Sequence, residues 1–186
     1  DATSTDAVAE AVNGSTKLVF VETISNPRTQ VTDLVGIGRL CRDRGLIYIV
    51  DNTMTTPYLF QPKKVDASLI INSLTKYIGG HGNALGGAVT EAGNFDWSTF
   101  PHIYDNYKKG DPSGWAIQQI KKKGIRDFGA SLGPEAAHHI SVGSDTLALR
   151  MKQACANARV ITEYLNAHPA IKKVYFPGLP DHPEHE

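Results

Sequence analysis

Residues 46–76 read LIYIVDNTMTTPYLFQPKKVDASLIINSLTK, and two apolar runs of strand length stand out in this stretch. The first run, residues 46–51, ends at Asp51, and the second run, residues 68–71, is followed a few positions later by Lys76. Nearly continuous apolar runs are typical of strands that are covered on both faces of a sheet. The stretch therefore predicts two buried strands, with an acid at the end of one and an amine just beyond the other.

The flanking sequence extends this sheet. KLVFVE, residues 17–22, predicts a strand before the stretch, and GGAVT, residues 86–90, predicts a strand after it. From Thr32 or Asp33 as the N-cap, apolar positions recur at helical spacing, and Gly45 supplies the stop. The alternation of strand, helix and strand predicts parallel strands joined by right-handed crossovers, and hence a layered α/β fold.

The composition is that of an ordinary compact protein. Of its 186 residues 41% are hydrophobic and 20% charged, and 19 basic residues balance 19 acidic ones. This balance gives no electrostatic reason to expect nucleic acid or an anionic membrane as a partner. The sequence lacks both an apolar run of about 18 residues and a signal-peptide pattern, so we expect a cytoplasmic protein. We expect Cys41 and Cys155 to be buried thiols.

The second half of the chain predicts a long loop and then a second domain. Residues 91–123 have no clear period, and they are either a binding segment or a surface insertion. A long helix is predicted at residues 145–167, and IKKVYF, residues 171–176, predicts a strand without a partner in the remaining sequence. We therefore expect a fragment of a longer chain, with residues 1–143 in a large α/β domain and residues 144–186 at the start of a truncated C-terminal domain.

Three short polar segments follow the predicted parallel strands. They are residues 22–26, 51–53 and 72–76. In sheets of this kind, ligands bind beyond the carboxyl ends of the strands. We therefore expect the three segments to converge on one site.

Lys76 and Asp51 indicate a particular cofactor chemistry. A partly buried amine near positive charge is prepared to attack carbonyl groups and to form Schiff bases. A carboxylate at the end of a buried strand needs a cationic partner, and the pyridinium nitrogen of pyridoxal 5'-phosphate (PLP) is such a partner. Ser73 and Thr75 offer hydroxyl donors to a phosphate, while Asn26 can donate to the ring oxygen or to a substrate carboxylate. The residues therefore predict a PLP site.

Other site chemistries fit the sequence less well. GGHGNALGG, residues 79–87, is not GxGxxG, lacks the lysine-serine ending of a P-loop and leads into a strand, so we reject a nucleotide loop. The histidines show neither HExxH nor paired-cysteine spacing, so we expect no metal site. There is also no GxSxG nucleophile elbow.

Four segments resemble the signature segments of one enzyme family. VFVETISNP (residues 19–27), IVDNTMTTPYLFQP (49–62), INSLTKYIGGHGNALGG (71–87) and SDTLALRM (144–151) look like those of the PLP-dependent enzymes of cysteine and methionine metabolism. We see this resemblance over the whole chain except residues 91–123. It implies the aspartate-aminotransferase-like architecture of fold type I PLP enzymes, a three-layer, mostly parallel sheet followed by a C-terminal α+β domain.

The resemblance also implies a role for each candidate residue. Lys76 would be the catalytic lysine that forms the Schiff base with PLP, and Asp51 would be the partner of the pyridinium nitrogen. Thr53 would lie beside the ring. The phosphate would bind to the hydroxyls of Ser73 and Thr75. Asn26 would contact the cofactor oxygen and the substrate carboxylate.

The activity that the resemblance implies is γ-replacement on an O-acylhomoserine by a sulfur nucleophile, as in the homoserine sulfhydrylases of methionine biosynthesis and transsulfuration. Such a PLP-dependent transferase takes a small amino-acid substrate and is a homo-oligomer, a dimer of dimers. Family members have further segments upstream and downstream of the region that matches. We therefore expect these 186 residues alone to be inactive or nearly so.

Several alternative functions stay open at this point. Within the family, the protein could be a cystathionine γ-synthase, or a cystathionine or methionine γ-lyase that carries out elimination. Outside the family, it could be another fold type I PLP enzyme, such as an aminotransferase. A non-catalytic α/β domain, in which Lys76 is a bystander, is the last alternative.

Overall fold

A computed structural model of the chain describes residues 1–185 and contains one four-stranded mixed sheet. The strands follow one another in the sheet in chain order: β1 Leu18–Glu22, β2 Ile47–Asp51, β3 Leu69–Ser73 and β4 Gly87–Glu91. β1, β2 and β3 are parallel, and β4 runs antiparallel to β3. The predicted α/β class and the four predicted strands are therefore confirmed.

Helices and short helical turns connect and cover the strands. The α-helices are α1 Thr5–Ala11, α2 Leu34–Asp43, α3 Thr56–Leu59, α4 Trp115–Gln119, α5 Arg126–Phe128, α6 Pro134–Ser144 and α7 Leu147–Ala167. A π-helical stretch, Ile120–Ile125, joins α4 to α5. Shorter 3-10 turns lie at Pro62–Val65, Trp97–Thr99, Asp105–Tyr107 and Pro112–Gly114.

Helix α2 covers one face of the sheet. Its N-cap is Asp33, whose carboxylate Oδ1 accepts a hydrogen bond of 2.9 Å from the Gly36 amide, and the chain leaves the helix through Gly45 at φ +63°. Ile37 and Cys41 of α2 are buried in one cluster with the side chains of Val21, Tyr48 and Val50 from β1 and β2. The start and the stop that the sequence predicts for this helix are confirmed.

The two cysteines differ in their surroundings. Cys41 is buried, and this burial raises the pKa of its thiol to about 11, so the thiol stays protonated and packs as a small apolar group. Cys155 is exposed on α7, so the expectation of a buried thiol is wrong at that position. Little of α7 packs against the described chain, since only Met151 and Thr162 of this helix are buried.

Residues 91–123 cover the opposite face of the sheet. Trp97, Ile103 and Ala116 from this segment are buried in one cluster with Ile47 of β2 and Leu69 of β3. The segment also has an aromatic cluster of its own, in which the rings of Phe95 and Trp97 lie 4.6 Å apart between centroids. The segment is thus the third layer of the fold and not a surface insertion. It showed no period because its turns are too short to repeat one.

The predicted strand at residues 171–176 is wrong, because these residues belong to no strand of the structure. Among residues 1–185 no strand pairs with them, and a strand without a ladder partner leaves its backbone groups to the solvent. The division into residues 1–143 and 144–186 stays a prediction. This predicted boundary lies just before Ser144, the last residue of α6.

Across residues 1–185, none of the helices combines the length and the hydropathy that a membrane crossing requires.

We expect Gly38→Ala to destabilise the protein. A Cβ atom at Gly38 in α2 would meet the main-chain oxygen of Val65, which cannot move away like a flexible side chain. Such overpacking costs about 1–3 kcal/mol, which exceeds the ~1 kcal/mol that alanine gains over glycine in a helix. The measurement is the midpoint of thermal unfolding. Gly14→Ala, at a position with open space around it, is the control, and equal midpoints for the two variants would contradict the packing of α2.

Candidate functional site

The carboxyl ends of three parallel strands open into one cavity. Glu22, Asp51 and Ser73 are the last residues of β1, β2 and β3, and Glu22 lies opposite Asp51 in the register of the sheet. The cavity at this edge has a volume of about 760 Å³ and is lined by all three residues. This volume is within the range of about 300–1,000 Å³ that small-molecule sites occupy.

Five of the six predicted site residues line this cavity. They are Asn26, Asp51, Thr53, Ser73 and Lys76. The sequence predicts that the three polar segments converge on one site, and the structure confirms this convergence.

Thr75 is the sixth predicted site residue, and it is not among the residues that line the cavity. Its hydroxyl oxygen accepts a hydrogen bond of 3.0 Å from the Gly86 amide and lies 3.3 Å from the Gly86 carbonyl oxygen, to which it donates. The hydroxyl thus ties the segment after β3 to the residue before β4. A phosphate contact by Thr75 stays a prediction.

Two hydrogen bonds join the ends of β2 and β3 through Thr53. The Thr53 amide donates to Oδ1 of Asp51 over 2.9 Å, which fixes the orientation of that carboxylate. The Thr53 hydroxyl oxygen accepts from the Ser73 amide over 2.8 Å. Thr53 therefore holds the acid of the site and the start of the lysine-bearing segment in one hydrogen-bonded chain.

Lys76 lies in a helical turn, Leu74–Ile78, that directly follows β3 and that we call the lysine turn. The backbone leaves helical geometry at Lys76, with φ −87° and ψ −122°. The amide of Leu74 donates to the carbonyl oxygen of Gly86 over 2.9 Å, and the amide of Gly80 donates to the carbonyl oxygen of Lys76 over 2.7 Å. The turn is thus fixed at both ends while the lysine side chain is exposed at the cavity.

Helix α6 supports the lysine turn from behind. Ile140 of α6 is buried, and a Cβ atom at Gly79 or Gly86 would lie 3.7 Å and 2.8 Å from its side chain. A Cβ atom at Gly143, near the end of α6, would meet the carbonyl oxygen of Gly79. The glycines of this region therefore allow the backbone of α6 and the backbone after the lysine turn to pack closely.

The first strand end contributes Glu22 and Asn26. The Glu22 carboxylate Oε2 accepts a hydrogen bond of 3.0 Å from the Asn26 amide, and both residues line the cavity. Within residues 1–185, the structure assigns no hydrogen-bond partner to the Asn26 carboxamide, the Ser73 hydroxyl or the Lys76 amine. These three polar groups are therefore available to a ligand.

Two charged residues of the site were given no role by the sequence. Glu22 belongs to the predicted segment 22–26 and lines the cavity, and its place at the end of a predicted strand is the same signal that identified Asp51. Arg150 reaches the cavity from α7, and no spacing rule connects it to the strand ends. The cavity thus has two acidic and two basic side chains, since Asp51 and Lys76 line it as well.

Comparisons with known proteins agree on one family. The family model described as "Cys/Met metabolism PLP-dependent enzyme" matches residues 1–186. The L-methionine gamma-lyase of Fusobacterium nucleatum subsp. polymorphum is 37% identical over 188 residues, an alignment that covers 100% of this chain and 42% of that enzyme. The resemblance seen in the sequence is confirmed. Its exclusion of residues 91–123 is wrong, because the family match includes them.

Two solved structures share the fold. The O-acetylhomoserine sulfhydrylase of Wolinella succinogenes, from its methionine biosynthetic pathway, has a TM-score of 0.91 and 35% identity, and the match covers 100% of this chain and 53% of that chain. A candidate O-acetylhomoserine (thiol)-lyase of Campylobacter jejuni, which carries N'-pyridoxyl-lysine-5'-monophosphate, has a TM-score of 0.87 and 31% identity, with coverage of 100% and 48%. The chain thus spans about half the length of the relatives it matches.

The residues at the cavity fit PLP. The Asp51 carboxylate is held by a backbone amide at the end of a buried strand, which suits it as the partner of a pyridinium nitrogen. One amine and one hydroxyl without protein partners lie on the same cavity, and they match an aldehyde and a phosphate. The carboxylate, the amine and the hydroxyl of the cavity therefore suit PLP, the cofactor on which the matched family depends.

We expect Thr53→Val to loosen the site while Thr53→Ser preserves it. Valine keeps the shape of threonine but removes the acceptor of the half-buried Ser73 amide, and an unsatisfied group of this kind costs about 1–3 kcal/mol. The valine variant should unfold at a lower temperature and lose PLP faster on dialysis than the wild type. Serine restores the oxygen, so equal behaviour of the two variants would contradict this role of Thr53.

Proposed function

The chain belongs to the Cys/Met metabolism PLP-dependent enzyme family, and on this premise we propose that the protein replaces the γ-substituent of an O-acylhomoserine with a sulfur nucleophile. The observation that carries the proposal is the shared cavity of Asp51 and Lys76 at the carboxyl edge of the sheet. The two solved relatives described above support the sulfhydrylase reaction in particular.

When bound, PLP supplies an aldehyde for attachment and a ring that withdraws electrons from the α-carbon of the attached amino acid. Asp51 would hold a proton on the ring nitrogen, because a carboxylate stabilises a pyridinium by direct charge pairing. The Thr53 amide keeps this carboxylate oriented by its hydrogen bond to Oδ1. Asp51 would thereby maintain the electron-withdrawing form of the ring.

Lys76 has two roles in this proposal. Its Nζ would hold the cofactor at the aldehyde, the group with which a lysine amine reacts. With the substrate in place, the Lys76 amine would accept a proton from the α-carbon of the substrate and return it, as a general base and acid. Its exposure at the cavity, without a protein partner among residues 1–185, leaves Nζ free for both roles.

The remaining predicted residues would orient cofactor and substrate. The Ser73 hydroxyl would donate to the phosphate, and Thr75 would do so only if it gave up its bond to the Gly86 carbonyl oxygen. The Asn26 carboxamide would donate to the substrate carboxylate or to the ring oxygen. We also propose a homo-oligomer, a dimer of dimers, and a cytoplasmic location, both on the strength of the family.

Elimination is the second candidate reaction. The methionine gamma-lyase relative, at 37% identity, supports it, and the cofactor contacts proposed above would serve it equally well. The two reactions differ in whether the sulfur nucleophile or water completes the turnover. The sulfur product of replacement and the keto acid of elimination therefore distinguish them.

We expect Lys76→Ala to abolish the activity of the whole protein on O-acetylhomoserine or O-succinylhomoserine with sulfide. Loss of the general base alone removes about 10²–10⁴-fold of the rate. In the wild type, borohydride reduction followed by peptide mapping should place a pyridoxyl group on Lys76. Lys121→Ala, on the exposed surface, is the control and should leave both readouts unchanged.

Each outcome of this experiment selects one function. Release of a keto acid without a sulfur product supports elimination, and exchange of the amino group with keto acids supports an aminotransferase. A pyridoxyl group on another lysine, or full activity of Lys76→Ala, would overturn the assignment of Lys76.

A further inference from the structure

Arg150 places its guanidinium group against the lysine turn. One of its terminal nitrogens, Nη1, donates to the carbonyl oxygen of Tyr77 over 2.6 Å. The other, Nη2, donates to the carbonyl oxygens of Ile78 over 3.2 Å and of Gly143 over 2.8 Å. One side chain of α7 therefore binds both the residues that follow Lys76 and the end of α6.

A further hydrogen bond fixes the orientation of this guanidinium. Its Nε donates to the hydroxyl oxygen of Thr146 over 3.0 Å, one helical turn before Arg150. Four acceptors thus engage the planar fork, which is the kind of multiple, directional contact that arginine makes and lysine cannot. The acceptor at Gly143 lies near the carboxyl end of α6, where the helix dipole favours a positive charge.

The backbone conformation at Gly80 leaves room for the guanidinium group of Arg150. Gly80 has φ +73°, and a Cβ atom at this position would fall on the guanidinium group of Arg150. The left-handed backbone and the close approach of the guanidinium therefore both favour glycine at position 80. Within residues 1–185, Arg150 forms no ion pair with a carboxylate, so its donors are directed at three main-chain oxygens and at the Thr146 hydroxyl.

We propose that Arg150 is a positioning residue that holds the lysine turn in the conformation in which Lys76 points into the cavity. The carbonyl of Tyr77 follows Lys76 directly in the chain, so a bond to it restricts the backbone torsions beside the lysine. Arg150 lines the same cavity as Lys76, and its place on α7 makes the lysine turn depend on the docking of that helix. The inference deepens the proposed function and rests on it for the role of Lys76.

The test compares hydrogen exchange of the lysine turn in the whole protein without PLP. Arg150→Gln removes the charge and most of the donors, so the amides of Gly79 and Gly80, which are bonded within the turn, should exchange at least about tenfold faster. Arg159→Gln is the matched control, because Arg159 is exposed on the same helix and should leave this exchange unchanged. Equal exchange of Gly79 and Gly80 in the wild type and in Arg150→Gln would overturn the proposal.

Two milder variants keep the test decisive if Arg150→Gln does not fold. Thr146→Val keeps Arg150 but removes the acceptor of its Nε, and it should accelerate the same exchange by a smaller factor. Arg150→Lys keeps the charge without the fork, so it should resemble Arg150→Gln and not the wild type. Wild-type exchange in both of these variants would contradict the positioning role.

The second readout is the rate at which lysine-bound PLP, seen by its visible absorption, appears when PLP is added to the protein. A misplaced Lys76 should react about tenfold more slowly in Arg150→Gln, while Arg159→Gln should match the wild type. A rate in Arg150→Gln equal to that of the wild type would contradict the link to Lys76. If the wild type itself fails to attach PLP, the proposed function fails, while the exchange comparison still decides whether Arg150 holds the turn.

Discussion

The parallel register of β1, β2 and β3 is the constraint on which the site depends. Because the three strands run in the same direction, with Glu22 opposite Asp51 and Ser73 two residues beyond the partner of Asp51, these residues meet at one edge of the sheet. The apolar side chains of β2 pack into clusters on both faces of the sheet, so the polar groups of the site lie at its end. The acid of the site is therefore positioned by strand pairing, which is rigid.

The amine of the site has a different kind of support. Lys76 lies beyond the last ladder pair of β3, in a turn that would be mobile without tertiary contacts. Three neighbours hold this turn: Gly86 by main-chain bonds, Ile140 by packing and Arg150 by its guanidinium group. The rigid acid and the supported amine then face one cavity, which is what a cofactor with a basic ring nitrogen and an aldehyde requires.

The sequence predicted the strand ends well because a change from apolar to polar residues is a local signal. It did not predict Arg150, since the partners of Arg150 are carbonyl groups, which every residue has, and the bond to Tyr77 spans 73 positions. The layer formed by residues 91–123 was missed because its order comes from aromatic packing on the sheet and not from a repeating pattern. The strand at residues 171–176 was overpredicted because apolar content alone does not supply a pairing partner.

Nuclear magnetic resonance of PLP labelled with ¹⁵N at the ring nitrogen tests most directly whether Asp51 and Lys76 hold the same ring. Bound to the whole wild-type protein, the nitrogen should have the chemical shift of a protonated pyridinium, because the Asp51 carboxylate stabilises the charge. In Asp51→Asn protein, which cannot supply that charge, the shift should move to that of an unprotonated pyridine. A pyridinium shift that is the same in both proteins would contradict the account.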